Sequence, residues 1–256
     1  MVNRSRLSLG VVAAVLIISA APASAKLGDV VASFAAPAPK PTTLTWAEGN
    51  LYCFCETSPF NIWKINAATG SVLGSFRFAR AAGDTAGLAY DGRYFWVGNR
   101  AENVIYSFAW GGGVVSSFKA SWNVGRGLGC SNFHIWGTEE GGEWNFRLYQ
   151  MRRDGEVIRS YSLYYEMFDP VWDGRYIWVP DYDDIIESYR VIRIDPVNGS
   201  VVTTFQAPGD QARGLAYDGT YLWLSTMADN GWLWKIDTGD VGVEPASLGR
   251  VKALFR

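Results

Sequence analysis

Two arginines, Arg126 and Arg213, each stand where a recurring segment departs from its own pattern. A guanidinium grips a carboxylate or phosphate through parallel N–H donors, so two of them at one mouth would hold an anionic group. A second set of off-pattern residues, Glu56, Asn99, Glu139, Asp181 and Thr226, follows at a fixed distance behind strongly apolar segments and includes three carboxylates. Facing the arginines, these side chains would complete a polar ligand site; pairing with them, they would form only a rim network of small energetic worth. The run Asp181-Tyr182-Asp183-Asp184, with Glu187 beyond, offers oxygens to a cation such as Ca²⁺ but lacks the alternation and central Gly of a dedicated loop. It is read as a solvated acidic loop. Glu139, Glu140 and Glu143 add negative charge nearby, where two carboxylates at glycosidase separation are geometrically available.

Other reactive types read as structural. His134 is the single histidine, which excludes a multi-histidine metal centre, and it aligns with Tyr94, Tyr176 and Tyr221. A packing role fits that position better than a catalytic triad, which needs a partnered base beside a nucleophile. Cys53, Cys55 and Cys130 allow one disulfide with one thiol over; Cys53 and Cys55 face the same side of a strand, a geometry that disfavours their bonding each other. Gly125-Arg126-Gly127-Leu128-Gly129 opens a strand instead of linking a strand to a helix, so it is not a dinucleotide fingerprint. Asn198-Gly199-Ser200 fits a glycosylation acceptor but sits where a turn is needed. No metal and no cofactor is expected. Among 12 Trp, Trp96, Trp136, Trp178 and Trp223 recur and read as core, whereas Trp122, Trp144 and Trp232 lie off the pattern. Exposed aromatics of that kind stack on sugar rings or anchor a protein partner.

The elements that must position these residues are strands. Hydrophobic residues make up 48% of the 256 and charged residues 19%, enough to bury a large core. The many aromatics, with 28 Gly, favour strands and turns. One segment recurs as Gly87-Leu-Ala-Tyr-Asp-Gly-Arg-Tyr-Phe-Trp96, Pro170-Val-Trp-Asp-Gly-Arg-Tyr-Ile-Trp178 and Gly214-Leu-Ala-Tyr-Asp-Gly-Thr-Tyr-Leu-Trp223, with weaker copies ending at Cys53 and Trp136. The turn positions Gly49, Gly92, Asn132, Gly174 and Gly219 recur every 40 to 45 residues. That period in an all-strand chain predicts a five-bladed β-propeller with four-stranded blades, a, b, c and d from the axis outward. Asp-Gly between strands a and b predicts a type I′ hairpin. Strand d has surplus copies at Val30–Phe34 and Val251–Phe255. The first matches the pattern better, so the N-terminal strand is expected to close the ring; the opposite assignment stays open.

The combination of G-L-A-Y-D-G-x-Y-x-W, L-W-K-I-D and G-x-V-V-x-x-F resembles secreted bacterial propellers of the broad NHL/YVTN-like group. Blade count and strand-c wording are also similar to the plant-type glutaminyl cyclotransferases. The resemblance implies the fold and carries over no catalytic residue. In a propeller of this kind the short a–b and c–d turns share one face, and the longer d–a and b–c loops share the other. Six residues before each turn stand Thr43, Ala86, Arg126, Phe168 and Arg213, at the mouth of the central channel.

Residues 1–25 read as an export signal: Arg4 and Arg6, an apolar stretch over 9–19, then Ala23-Ser24-Ala25. Residues 26–256 form one propeller, expected to be secreted or periplasmic and monomeric, with no membrane contact after cleavage. A net charge of −2 argues against nucleic acid. The first functional expectation is a non-catalytic module binding an extracellular glycan or protein through its loop face. The alternative is a hydrolase, lyase or cyclotransferase using funnel carboxylates, one of which would need to be poorly solvated and without an arginine partner. A structural element of a larger envelope assembly, pairing through the surplus strand, is a third possibility.

Overall fold

A computed structural model describes residues 26–57, 60–78, 85–131, 133–140, 146–228 and 230–239. The export segment, Trp144, Glu143, the side chain of Glu140 and the Val251–Phe255 copy lie outside the described residues.

Strand β1 (Val30–Ala35) is followed by five antiparallel sheets. Blade I contains β2 (Pro41–Ala47), β3 (Asn50–Cys55), β4 (Asn61–Ile65) and β5 (Val72–Arg77). Blade II contains β6 (Thr85–Tyr90), β7 (Phe95–Asn99), β8 (Val104–Phe108) and β9 (Val114–Lys119). Blade III contains β10 (Gly127–Cys130), β11 (Ile135–Glu140), β12 (Phe146–Met151) and β13 (Val157–Leu163). In blade IV the innermost strand is split into β14 (Glu166–Met167) and β15 (Val171–Trp172), ahead of β16 (Ile177–Asp183), β17 (Ser188–Ile194) and β18 (Val201–Gln206). Blade V contains β19 (Ala212–Tyr217), β20 (Tyr221–Thr226) and β21 (Trp232–Asp237), and β1 pairs antiparallel with β21 as its outermost strand. The chain is therefore a five-bladed β-propeller closed by its N-terminal strand.

The core lies between blades because each inner sheet is covered on both faces. One apolar cluster joins Tyr52 and Phe54 of blade I to Phe95 and Phe108 of blade II. Another joins Trp136 and Leu148 of blade III to Ile177 and Ile192 of blade IV, and Leu51 and Cys53 of blade I meet Trp223 and Leu233 of blade V across the closure. Fully burying a side chain of this size contributes roughly 1.5–3 kcal/mol. The outermost strands are half-exposed, as the burial patterns of β5 and β9 show.

The a–b turns differ from the expectation in an instructive way. Positive φ falls on Gly92, Gly174 and Gly219 but not on the preceding Asp. In blade II, Asp91 N donates to Tyr94 O at 3.1 Å, so the two central residues are Gly92 and Arg93. Positive φ at the first central position alone is the type II′ pattern. The Asp instead serves as an acceptor: Asp91 Oδ1 takes the amides of Arg93 and Tyr94 at 2.8 and 2.7 Å, and Oδ2 takes Trp96 Nε1 at 2.9 Å. Asp173 and Asp218 repeat this clamp on Trp178 and Trp223 at 2.6 and 3.0 Å. The type I′ turn occurs in blade I, where both Glu48 and Gly49 have positive φ, 49° and 75°.

Around the axis the innermost strands approach backbone to backbone. A Cβ on Gly214 would sit 2.6 Å from the Leu44 nitrogen of blade I. One on Gly127 would sit 2.4 Å from Asp169 Cα of blade IV, so blade III presents Gly where the backbone of the split strand passes closest. Pro170, which has no amide to donate, sits within that split and contributes to it.

Candidate functional site

The loop face opens into a funnel of about 350 Å³ over the channel, lined by Thr43, Glu56, Arg100, Arg126, Phe168 and Arg213 among others. Four of the five residues placed six before each turn therefore share one cavity. The fifth, Ala86, is buried in the contact between blades II and III. Hairpin register explains the convergence, because a fixed count back from the turn reaches the same height on every innermost strand.

Phe168 also lines the funnel and is 3% exposed. The Arg213 guanidinium lies over its ring at 4.0 Å and that of Arg126 at 5.2 Å. Arg126 forms an ion pair with Glu166, another funnel residue. Burial, with Arg126 adding to it, lowers the Arg213 pKa from its ordinary value, while Tyr189 and Glu166 pull the other way. Arg213 Nη1 and Thr43 Oγ1 are both buried without a hydrogen-bond partner among the described residues. Two unpaired polar atoms on residues of one funnel, with one donor cationic, suit an incoming acceptor group.

The second set divides. Glu56 lines the funnel. Asn99 is buried and its Oδ1 accepts the Glu102 amide at 2.9 Å, capping the loop after β7. Glu139 accepts the Asn123 amide at 3.0 Å and the Tyr149 hydroxyl at 2.6 Å. Burial and that bond push Tyr149 up to about 12. Asp181 is fully buried against Arg190 Nε at 2.7 Å; burial raises it to about 6 despite the cation. Thr226 Oγ1 accepts Trp234 Nε1 at 3.0 Å. These side chains satisfy strand ends and buried donors away from the funnel lining. Trp122, expected at the surface, is 6% exposed and stacks on Tyr149 at 4.7 Å, which leaves no free ring face for a sugar. Trp232 is 36% exposed on the rim beside Trp234.

Several residues escaped the sequence reading. Arg100 and Met227 line the funnel one position beyond Asn99 and Thr226. Successive strand residues face opposite sides, so an offset of one at a strand end selects the wrong face. Asp169 replaces the Gly found at the matching point of blades II, III and V (Gly87, Gly127 and Gly214), a substitution visible in the repeat. It is 1% exposed; its oxygens approach the amides of Leu44 and Leu128 without completing a well-aligned bond to either. Desolvation raises its pKa well above the ordinary carboxylate range.

The cysteines are buried or half-buried thiols. Cys53 and Cys55 sulfurs lie 3.7 Å apart, well beyond a bond of about 2.05 Å, and burial raises the Cys53 pKa, which suppresses thiolate chemistry. Among the described residues no group of three His, Cys, Asp or Glu converges as a metal site, and no helix is long and apolar enough to cross a membrane.

No protein-family model and no curated protein matches the sequence. Solved structures do. Glutaminyl cyclase from Myxococcus xanthus superposes with a TM-score of 0.63 at 14% identity, covering 82% of this chain and 97% of that one. Virginiamycin B lyase from Staphylococcus aureus gives 0.47 at 15% identity, covering 77% of this chain and 66% of the other. At 14% identity the likeness to the cyclase establishes the propeller fold alone, in line with the distant resemblance read from the repeats.

Proposed function

We propose that this is an exported, non-catalytic binding propeller whose loop-face funnel holds a carboxylate of an extracellular glycan or protein. The carrying observation is the unpartnered Arg213 Nη1, on a guanidinium stacked over Phe168 in a cavity that also contains Arg126. Glu166 pairs with Arg126, and Arg213, whose guanidinium also meets Tyr189, keeps Nη1 as the donor for ligand. Trp232 on the rim offers an apolar face to a sugar ring or a partner side chain.

The enzymatic alternative rests on Asp169, a poorly solvated carboxylate with raised pKa. A protonated carboxyl is a competent general acid, but Asp169 is sealed from solvent and is not among the residues lining the funnel. Binding is favoured for that reason.

The test is capture of a uronic-acid oligosaccharide, its methyl ester, and acidic and neutral peptides by the mature protein. Arg213→Ala is expected to weaken capture of the acidic ligand by about tenfold or more, as loss of a charge-assisted bond of roughly 1.5–3 kcal/mol requires. Equal capture of acid and ester, or unchanged capture by Arg213→Ala, defeats the proposal. Turnover abolished by Asp169→Asn would favour the enzyme.

A further inference from the structure

The opposite face carries a cavity that the funnel does not use. In blades II, IV and V an Asp carboxylate receives the indole N–H of the Trp five residues later, at 2.9, 2.6 and 3.0 Å. Blade III has Ser131 in the Asp position. The Ser131 hydroxyl is occupied with His134, accepting its amide at 3.1 Å, and does not bond to Trp136. Trp136 is 2% exposed, and its Nε1 is buried with no hydrogen-bond partner.

The compensating cation is missing as well. Opposite the Trp on strand c, blades IV and V carry Arg193 and Lys235, which lie 3.9 and 3.7 Å from Asp173 and Asp218. The residue opposite Trp136 is Gln150. Where blades II, IV and V carry a carboxylate clamp, blade III borders a cavity of about 400 Å³ lined by Phe133, His134, Trp136, Gln150, Arg159 and Trp172, together with the turns of blade IV. Phe133 is 77% exposed. Arg159 stands beside Gln150 in register and donates to the carbonyls of Pro196 and Val197 at 3.4 and 3.3 Å. No carboxylate among the described residues pairs with it.

An orphaned indole donor, a guanidinium with no carboxylate partner among the described residues and exposed aromatic surface converge on one cavity of ligand size. We propose that it binds a small aromatic carboxylate, whose anionic oxygen takes the place that Asp91, Asp173 and Asp218 fill in their own blades. Trp136 Nε1 donates to that oxygen, Arg159 supplies the opposite charge, and Phe133 and Trp172 pack on the ring. Because Nε1 is covered, the carboxylate reaches it as the lining side chains of Phe133 and His134 move aside. Ser131 N donates to His134 O at 2.8 Å as in the counterpart hairpins, but one serine hydroxyl stands where the counterparts have two carboxylate oxygens.

Phenylacetate titrated into ¹⁵N-labelled mature protein tests this, with the Trp136 indole resonance assigned by its loss in Trp136→Phe. Saturable movement of that resonance is expected, with no comparable movement on adding benzyl alcohol. Ser131→Asp restores the internal acceptor and is expected to weaken phenylacetate binding by about tenfold or more. Arg159→Gln is expected to weaken it several-fold. An unmoved Trp136 resonance, equal response to the neutral alcohol, or Ser131→Asp that folds and binds as before would overturn the proposal. Should Ser131→Asp not fold, calorimetric affinity unchanged in Trp136→Phe would overturn it equally.

Discussion

The two most informative residues near the axis differ in how far the sequence disclosed them. Arg213 was legible because its height on the innermost strand is fixed by counting back from a repeated turn. Asp169 was missed although it breaks a repeated Gly, because a carboxylate next to Pro170 resembles loop composition until the innermost strand is seen to split around it. Its energetics have a definite sign. A carboxyl whose pKa is raised on folding binds its proton more tightly folded than unfolded. Its contribution is complete below the unfolded value of about 3.9 and is lost as pH rises through the folded value. Above pH 4 the wild type should therefore lose stability with rising pH, by up to about 1.4 kcal/mol per pH unit from this group. Asp169→Asn removes that slope, so its stability relative to wild type should improve from pH 4 upward until Asp169 is ionised. Asp181, raised to about 6, titrates in both proteins and cancels in the comparison. Urea unfolding at several pH values decides the matter; parallel stability curves would show that Asp169 is not held protonated.

Among the elements, the a–b turn is where sequence and structure diverge most usefully. Asp-Gly correctly located the hairpins, since any two-residue loop in a right-twisted ribbon needs positive φ and Gly supplies it. The role of the Asp was invisible because its partner, the indole five residues later, is met only when strand b folds back beside it. Each clamp joins two amides and an indole to one carboxylate. Asp173→Ala leaves the Trp178 donor buried and unpaired, with a cost of about 1–3 kcal/mol expected in urea unfolding. A cost below ~0.5 kcal/mol would mean the clamp is incidental. The b–c loops were read less well for a related reason. Asn99, Glu139 and Thr226 differ from blade to blade as ligand residues do, yet each satisfies a local donor. Variation at a strand end therefore does not by itself distinguish capping from binding.

At the scale of the whole molecule, the ring depends on one non-local pairing. Strand β1 completes blade V from the other end of the described chain, with Phe34 against Trp223 at 6.0 Å. Phe34 also reaches blade I, where a Cβ on Gly70 would meet its ring at 2.5 Å. One short strand thus ties the last blade to the first. Deleting residues 26–35 from the mature protein would uncover the β21 edge and open the Phe34 contact with blade I together. Phe34 is partly buried, so its side chain contributes at most about 3 kcal/mol, the low end of the scale for core aromatic-to-alanine changes. An open strand edge also pairs with other chains, so the deletion is expected to lower the urea midpoint and to produce oligomers by light scattering. Deleting Val251–Phe255 instead should leave the midpoint nearly unchanged, because β1 already occupies the fourth position of blade V. The reverse ranking of the two deletions would assign closure to the C-terminal copy, the alternative the repeat pattern had left open. Equal and small effects would mean that the other blades hold the disc without a latch, as stacking alone would if the five inter-blade clusters carried nearly all the stability.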